Sequence, residues 1–132
     1  MRATGPFDVK LNVLEAYNRD AGAALGRMSI DKQFHGDLDA TSKGEMLTAM
    51  GAVPGSAGYV AIERVAGTLH GRSGSFALQH SSTMTRGEPR QNVFVVPDSG
   101  TGELAGLSGT MTITIAPGGK HSYEFDYTLP GA

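Results

Sequence analysis

The chain has 132 residues, 39% of them hydrophobic and 18% charged, which is enough for one core and too little for two domains, so a single domain over residues 1–132 is expected. Eleven basic and thirteen acidic residues give a formal net charge of -2, which argues against nucleic acid or an anionic membrane surface as a partner. With no Cys there is no disulfide framework, thiolate nucleophile or thiolate metal site. The residues after Met1 lack a basic n-region and an apolar h-region, and no apolar run of about 20 residues exists, so the expected location is cytoplasmic.

Nineteen Gly and six Pro punctuate stretches rich in Thr, Val, Ile, Tyr and Phe, the pattern of an all-β chain. In chain order, strands are expected at Phe7 to Leu14, Leu25 to Phe34, Leu38 to Met50, Gly58 to Leu69, Ser75 to Met84 and Asn92 to Val96. Two more follow, where Met111, Ile113 and Ile115 alternate with Thr and where Tyr123, Phe125, Tyr127 and Leu129 alternate with polar residues. Pro117-Gly118-Gly119 makes that last pair a hairpin, and Glu103 to Leu107 has room for one helical turn. The first few residues and Gly131-Ala132 are expected to fray. No helix is available for a parallel crossover, so the strands form an antiparallel meander. Eight such strands remove their edges by closing into an antiparallel β-barrel, the alternative being an open sandwich.

Pairing across His35-Gly36-Asp37 sets Met28 opposite Gly44, Ile30 opposite Ser42 and Phe34 opposite Leu38 on the inner face. Arg27 with Glu45, Ser29 with Lys43 and Asp31 with Thr41 then face out, although Glu45 is not securely assigned to surface over cavity. A turn at Gly71 to Ser73 sets Val65 opposite Leu78, Gly67 opposite Phe76 and Glu63 opposite His80. On that register a carboxylate and an imidazole stand side by side among apolar residues, with Tyr59 further along the strand. Such a pair suits proton transfer, because burial and mutual attraction push its ionisation in opposite directions. Three readings remain open: an external cross-strand pair, a buried structural pair, and a catalytic pair. Val60 and Ile62 occupy the opposite, outer face, where a second copy of the chain is the simplest cover, unless the two faces of this strand are interchanged.

Gly100, Gly102, Gly106 and Gly109 form a Gly-rich run with no Lys in Walker spacing and no following helix, so it reads as a tight loop rather than a phosphate cradle. Gly100 or Gly102 is expected to adopt a backbone conformation closed to other residues. The four His residues, His35, His70, His80 and His121, lack metal-ligand spacing, and no Ser sits in a nucleophile elbow. Met46 and the other methionines suit a pliable apolar wall.

The stretch Val93 to Ile113, a strand, the Gly-rich turn and a second strand, resembles the corresponding segment of allene oxide cyclases and dirigent proteins. Gly58 to Arg64, Leu69 to Phe76 and Leu78-Gln79-His80 resemble a small, mostly bacterial family of unassigned function in that superfamily, domain of unknown function 3224. The resemblance implies an eight-stranded antiparallel barrel of the allene oxide cyclase-like type, commonly oligomeric, with a cavity open at one end and no need of a metal or organic cofactor. Allene oxide cyclases hold an unsaturated fatty-acid epoxide in such a cavity, and dirigent proteins orient phenolic radicals. The expectation for this chain is a cofactor-free barrel for a small apolar molecule, with isomerisation or cyclisation as the reaction class. Glu63 and His80 are its candidate catalytic residues, and Tyr59, Tyr123, Phe76, Leu78 and Met46 its candidate ligand contacts. A carrier or sensor of a hydrophobic metabolite, and a structural oligomer with a filled barrel, are the alternatives.

Overall fold

Alternating apolar and polar side chains put one face of each strand in the core, and closing the sheet on itself buries all of those faces together. The computed structural model, which describes residues 1–131, is a closed barrel of eight antiparallel strands in sequential order. The strands are β1 (Arg2–Leu14), β2 (Leu25–Phe34), β3 (Leu38–Met50), β4 (Ala57–Leu69), β5 (Arg72–Thr85), β6 (Glu88–Val95), β7 (Ser108–Ile115) and β8 (His121–Thr128). A short 3-10 turn covers Gly102–Leu104.

The N-terminus is ordered, contrary to expectation. Arg2 to Phe7 pair with Asp126 to His121, and the Met1 ammonium donates to the Tyr127 carbonyl at 2.8 Å. The first residues of β1 supply the partner that β8 would otherwise lack, so fraying here would reopen the barrel. Gly131 lies in a turn, and Ala132 lies outside the described residues.

Both expected registers move by two residues. His70 (φ 47°) and Gly71 (φ 79°) make a two-residue turn in the left-handed region, so Leu69 pairs with Arg72. Glu63 then faces Leu78 and His80 faces Ala61, rather than each other. Between β2 and β3 the turn residues bond to β1 instead of closing the hairpin tightly: His35 N–H donates to Pro6 O and Asp37 N–H to Thr4 O. Met28 therefore pairs with Met46, Ile30 with Gly44 and Phe34 with Ala40, while Ser29 meets Glu45 and Asp31 meets Lys43. A shift of two preserves which face each side chain occupies, so the inner residues stay inside. Glu45 is exposed and takes an ion pair from Arg27 on the outer surface.

The expected break at Arg86 to Arg90 shrinks to Arg86-Gly87, and β6 begins at Glu88. Pro89 is tolerated in the strand because β6 pairs with β7 only at Phe94 and Thr110. One end of the barrel is packed solid by Phe34, Leu38, Leu69, Phe76, Phe125 and Leu104. The Gly-rich loop covers that end, held by Thr101 N–H to Ser75 O at 2.8 Å and Ala77 N–H to Ser99 Oγ at 3.0 Å. Gly102 has φ 59°, the strained conformation expected of this run. Gly100 is required for a different reason, since a Cβ there would lie 2.0 Å from the Leu104 carbonyl oxygen.

Candidate functional site

Above the packed end, the barrel interior opens into a cavity of about 140 Å³ to which every strand contributes a side chain. Its wall is apolar, with Phe7, Val9, Ile30, Met46, Ala61 and Ile113 among the lining residues. Lys32, Tyr59, His80, Gln91 and His121 supply the polar groups.

Behind Lys32 and His80 lies Glu63, with 0% of its surface exposed. An ionised carboxylate survives inside a barrel only when other groups replace its lost water. Here three do. Lys32 Nζ donates to Oε2 at 2.7 Å, His80 Nε2 donates to the same oxygen at 2.7 Å, and Ser42 Oγ donates to Oε1 at 2.8 Å. Burial pushes the Glu63 carboxyl up, but the His80 hydrogen bond and the Lys32 charge together outweigh it and hold the group at about 2. Glu63 is therefore a fixed anion that accepts hydrogen bonds rather than a proton donor near neutral pH.

Lys32 is itself only 8% exposed, and its ammonium lies 5.1 Å from the Phe7 ring centroid and 5.6 Å from that of Phe34. His80 is 3% exposed. Its Nε2–H is committed to Glu63, which in the neutral ring leaves Nδ1 as the free acceptor of a side chain that lines the cavity. Ser82, two residues further along the inward face of β5, is also buried, and its hydroxyl has no partner among the described residues. Buried hydroxyls are almost always hydrogen-bonded, so this one has a bond to offer.

The residues singled out in the sequence divide into two groups. Glu63 and His80 are in direct contact on the inside of the barrel, diagonal across two strands rather than opposite, and Tyr59 and Met46 line the cavity. Tyr123, Phe76 and Leu78 do not reach it and belong to the packed core. The Tyr123 hydroxyl donates to His35 O at 2.6 Å and accepts from Leu38 N–H at 2.8 Å, tying the β2–β3 turn to β8. Burial raises the pKa of this phenol. Sequence reasoning missed Lys32 and the role of Ser42. The signal for Lys32 was its parity: it lies midway between Ile30 and Phe34, both assigned to the inner face. Among the described residues no cluster of three or more His, Asp or Glu could hold a metal ion, and no helix is long and apolar enough to cross a membrane.

An eight-stranded barrel with one packed end, one open end and a buried Lys–Glu–His cluster beneath the opening defines the class of protein. The family model described as "Protein of unknown function (DUF3224)" matches residues 3–127, and the chain belongs to that family. It is similar to a crystal structure of a DUF3224-family protein of unknown function from Shewanella oneidensis MR-1. The two share 56% sequence identity and a TM-score of 0.94, over 100% of this chain and 98% of that one. No curated protein matches it.

Proposed function

We propose that this barrel binds a small, largely apolar organic molecule in its cavity, with one polar group turned down toward Lys32 and His80. The observation that carries this reading is the cavity itself, an apolar wall ending on charged groups whose bonding capacity the chain does not exhaust. An apolar cavity of about 150 Å³ accommodates benzene. The cavity of about 140 Å³ is therefore matched to one small ring or a short branched chain, with any longer tail leaving by the open end. Isomerisation or cyclisation is the reaction class that the arrangement suits, because moving a proton within one molecule needs only acid–base groups and a shaped wall. The kinship with the allene oxide cyclase and dirigent barrels, which rests on the Gly-rich turn, and a cytoplasmic location belong to the same reading.

Native mass spectrometry of freshly purified protein tests it. A copurifying mass of a small organic molecule, lost in Ala61→Phe, is the expected result. A bare polypeptide mass, with no change in the Met46 methyl resonance across a panel of small ketones, acids and phenols, would overturn it.

We also infer that a second copy covers the outer face of β3 and β4. Val60 and Ile62 are 51% and 58% exposed, and Leu47 lies directly opposite Val60. Arg27 and Glu45 flank this stripe with opposite charges, which a two-fold related copy can pair across the interface. Ile62→Lys is expected to shift the mass seen by light scattering toward monomer. A wild type that is already monomeric would refute the interface.

A further inference from the structure

Lys32, His80 and Ser82 each retain a hydrogen-bonding position that no protein atom fills. The Lys32 ammonium has three N–H donors, one of which goes to Glu63 Oε2. His80 uses Nε2–H on that same oxygen, so in its neutral form the ring keeps Nδ1 free to act as a base. Because both nitrogens lie 2.7 Å from one atom, a cation and a base stand close together at the inner end of the cavity. Glu63 cannot serve as the base in their place, since three donors already occupy its carboxylate and it does not line the cavity.

A cationic donor beside a neutral base complements one functional group well: a carbonyl with an acidic C–H on the adjoining carbon. The oxygen accepts from Lys32 while the C–H is presented to His80. We propose that the cavity takes a small enolisable ketone, and that Lys32 and His80 move its α-proton through an enolate. This deepens the ligand-binding reading and rests on it. In the step, His80 Nδ1 takes the α-proton, the C–H electron pair forms a carbon–carbon double bond, and the carbonyl π pair moves to oxygen. The enolate oxygen is then held by the Lys32 ammonium, and the new imidazolium is balanced by Glu63. Returning the proton to the same carbon restores the ketone. Returning it to the γ-carbon of a β,γ-unsaturated ketone gives the conjugated isomer. Atoms and electrons balance without an oxidant, a reductant or a second substrate.

Lys32 and His80 would be catalytic residues in this scheme, and Glu63 and Ser42 positioning residues. Glu63 fixes the imidazole tautomer, and Ser42 holds the carboxylate. The test is hydrogen–deuterium exchange at the α-carbons of cyclohexanone in D2O, followed by proton NMR, with binding read separately from cyclohexanone-induced shifts of the Met46 methyl. The expected result is exchange at least about tenfold faster than with free imidazole at equal concentration. That excess should vanish in His80→Gln and in Lys32→Met. Cyclohexanol, which fills the same space without a carbonyl, should suppress it in the wild type, an arm that requires no variant to fold. Shifts at Met46 with exchange no faster than imidazole would overturn the proton transfer and leave ligand binding standing. Exchange that survives His80→Gln, or that cyclohexanol does not suppress, would also overturn it. Absence of any cyclohexanone-induced shift would remove the ketone as the substrate class, while ligand binding itself stands or falls on the copurified mass.

Discussion

Lys32 Nζ on β2 and Glu63 Oε2 on β4 are 2.7 Å apart, although β3 runs between their strands. The gap is bridged where β3 has no side chain. Gly44 pairs with Ile30 on one side and Glu63 on the other, and a Cβ there would lie 2.6 Å from Glu63 Cα. Three strands thus cooperate to hold one buried ion pair, which makes its energetics measurable.

Breaking such a pair from one side strands an uncompensated charge. Lys32→Met and Glu63→Leu should each destabilise the barrel by about 3–5 kcal/mol. The double variant should cost less than the sum, because it leaves no buried ion behind. Urea denaturation of the four proteins closes the cycle, and additive losses would show that the two side chains are not coupled.

The pH dependence follows from the direction of the Glu63 shift. Its folded value of about 2 lies below the ordinary value of 4.5, so its contribution is complete above 4.5 and is lost as pH falls toward 2. The stability gap between wild type and Glu63→Gln should therefore be widest near neutrality and close across that acid window. Asp126, whose carboxyl Arg2 holds below its usual range, is common to both proteins and cancels in the difference. A gap that stays constant from neutral to acid pH would contradict a salt-bridged anion at Glu63.

Gly44→Ala tests the close approach of β3 to β4. The added methyl would lie 2.1 Å from the Ile62 carbonyl oxygen, and backbone cannot swing aside as a side chain can. A loss of about 1–3 kcal/mol is expected, together with a displaced His80 ring resonance, since Glu63 must move with its strand. Unchanged stability would mean that the strands separate freely at this point.

Ser82→Ala should behave in the opposite way. Removing a buried hydroxyl that has no partner deletes a desolvation cost rather than a bond, so stability should stay within about 0.5 kcal/mol of wild type. Destabilisation beyond about 1 kcal/mol would show that the hydroxyl serves the free protein.

The fold was legible in the sequence because period-2 alternation and evenly spaced Gly and Pro leave few arrangements for eight strands. Register was harder. His70-Gly71 and the residues after His35 each admit turns of different length; left-handed φ values at His70 and Gly71 set the first, and bonds from His35 and Asp37 to β1, far away in sequence, accompany the second. Glu63 and His80 still came together, because a two-residue shift keeps both inside and a carboxylate reaches a diagonal neighbour. Tyr123 misled for the converse reason. Alternation places its ring inside, but only depth along the barrel axis separates the packed end from the cavity, and no local pattern encodes depth. Lys32 was overlooked because a lysine is normally expected in water, and its burial depends on a partner two strands away.

The most direct measurement is the side-chain ¹⁵N spectrum of His80 in the free protein and after adding cyclohexanone. The neutral imidazole should carry its proton on Nε2, held there by Glu63, and Nδ1 should be unprotonated and should shift when the cavity fills. A proton on Nδ1, or an Nδ1 signal indifferent to a ligand that moves the Met46 methyl, would mean that the cluster beneath the cavity supports the barrel without serving what it holds.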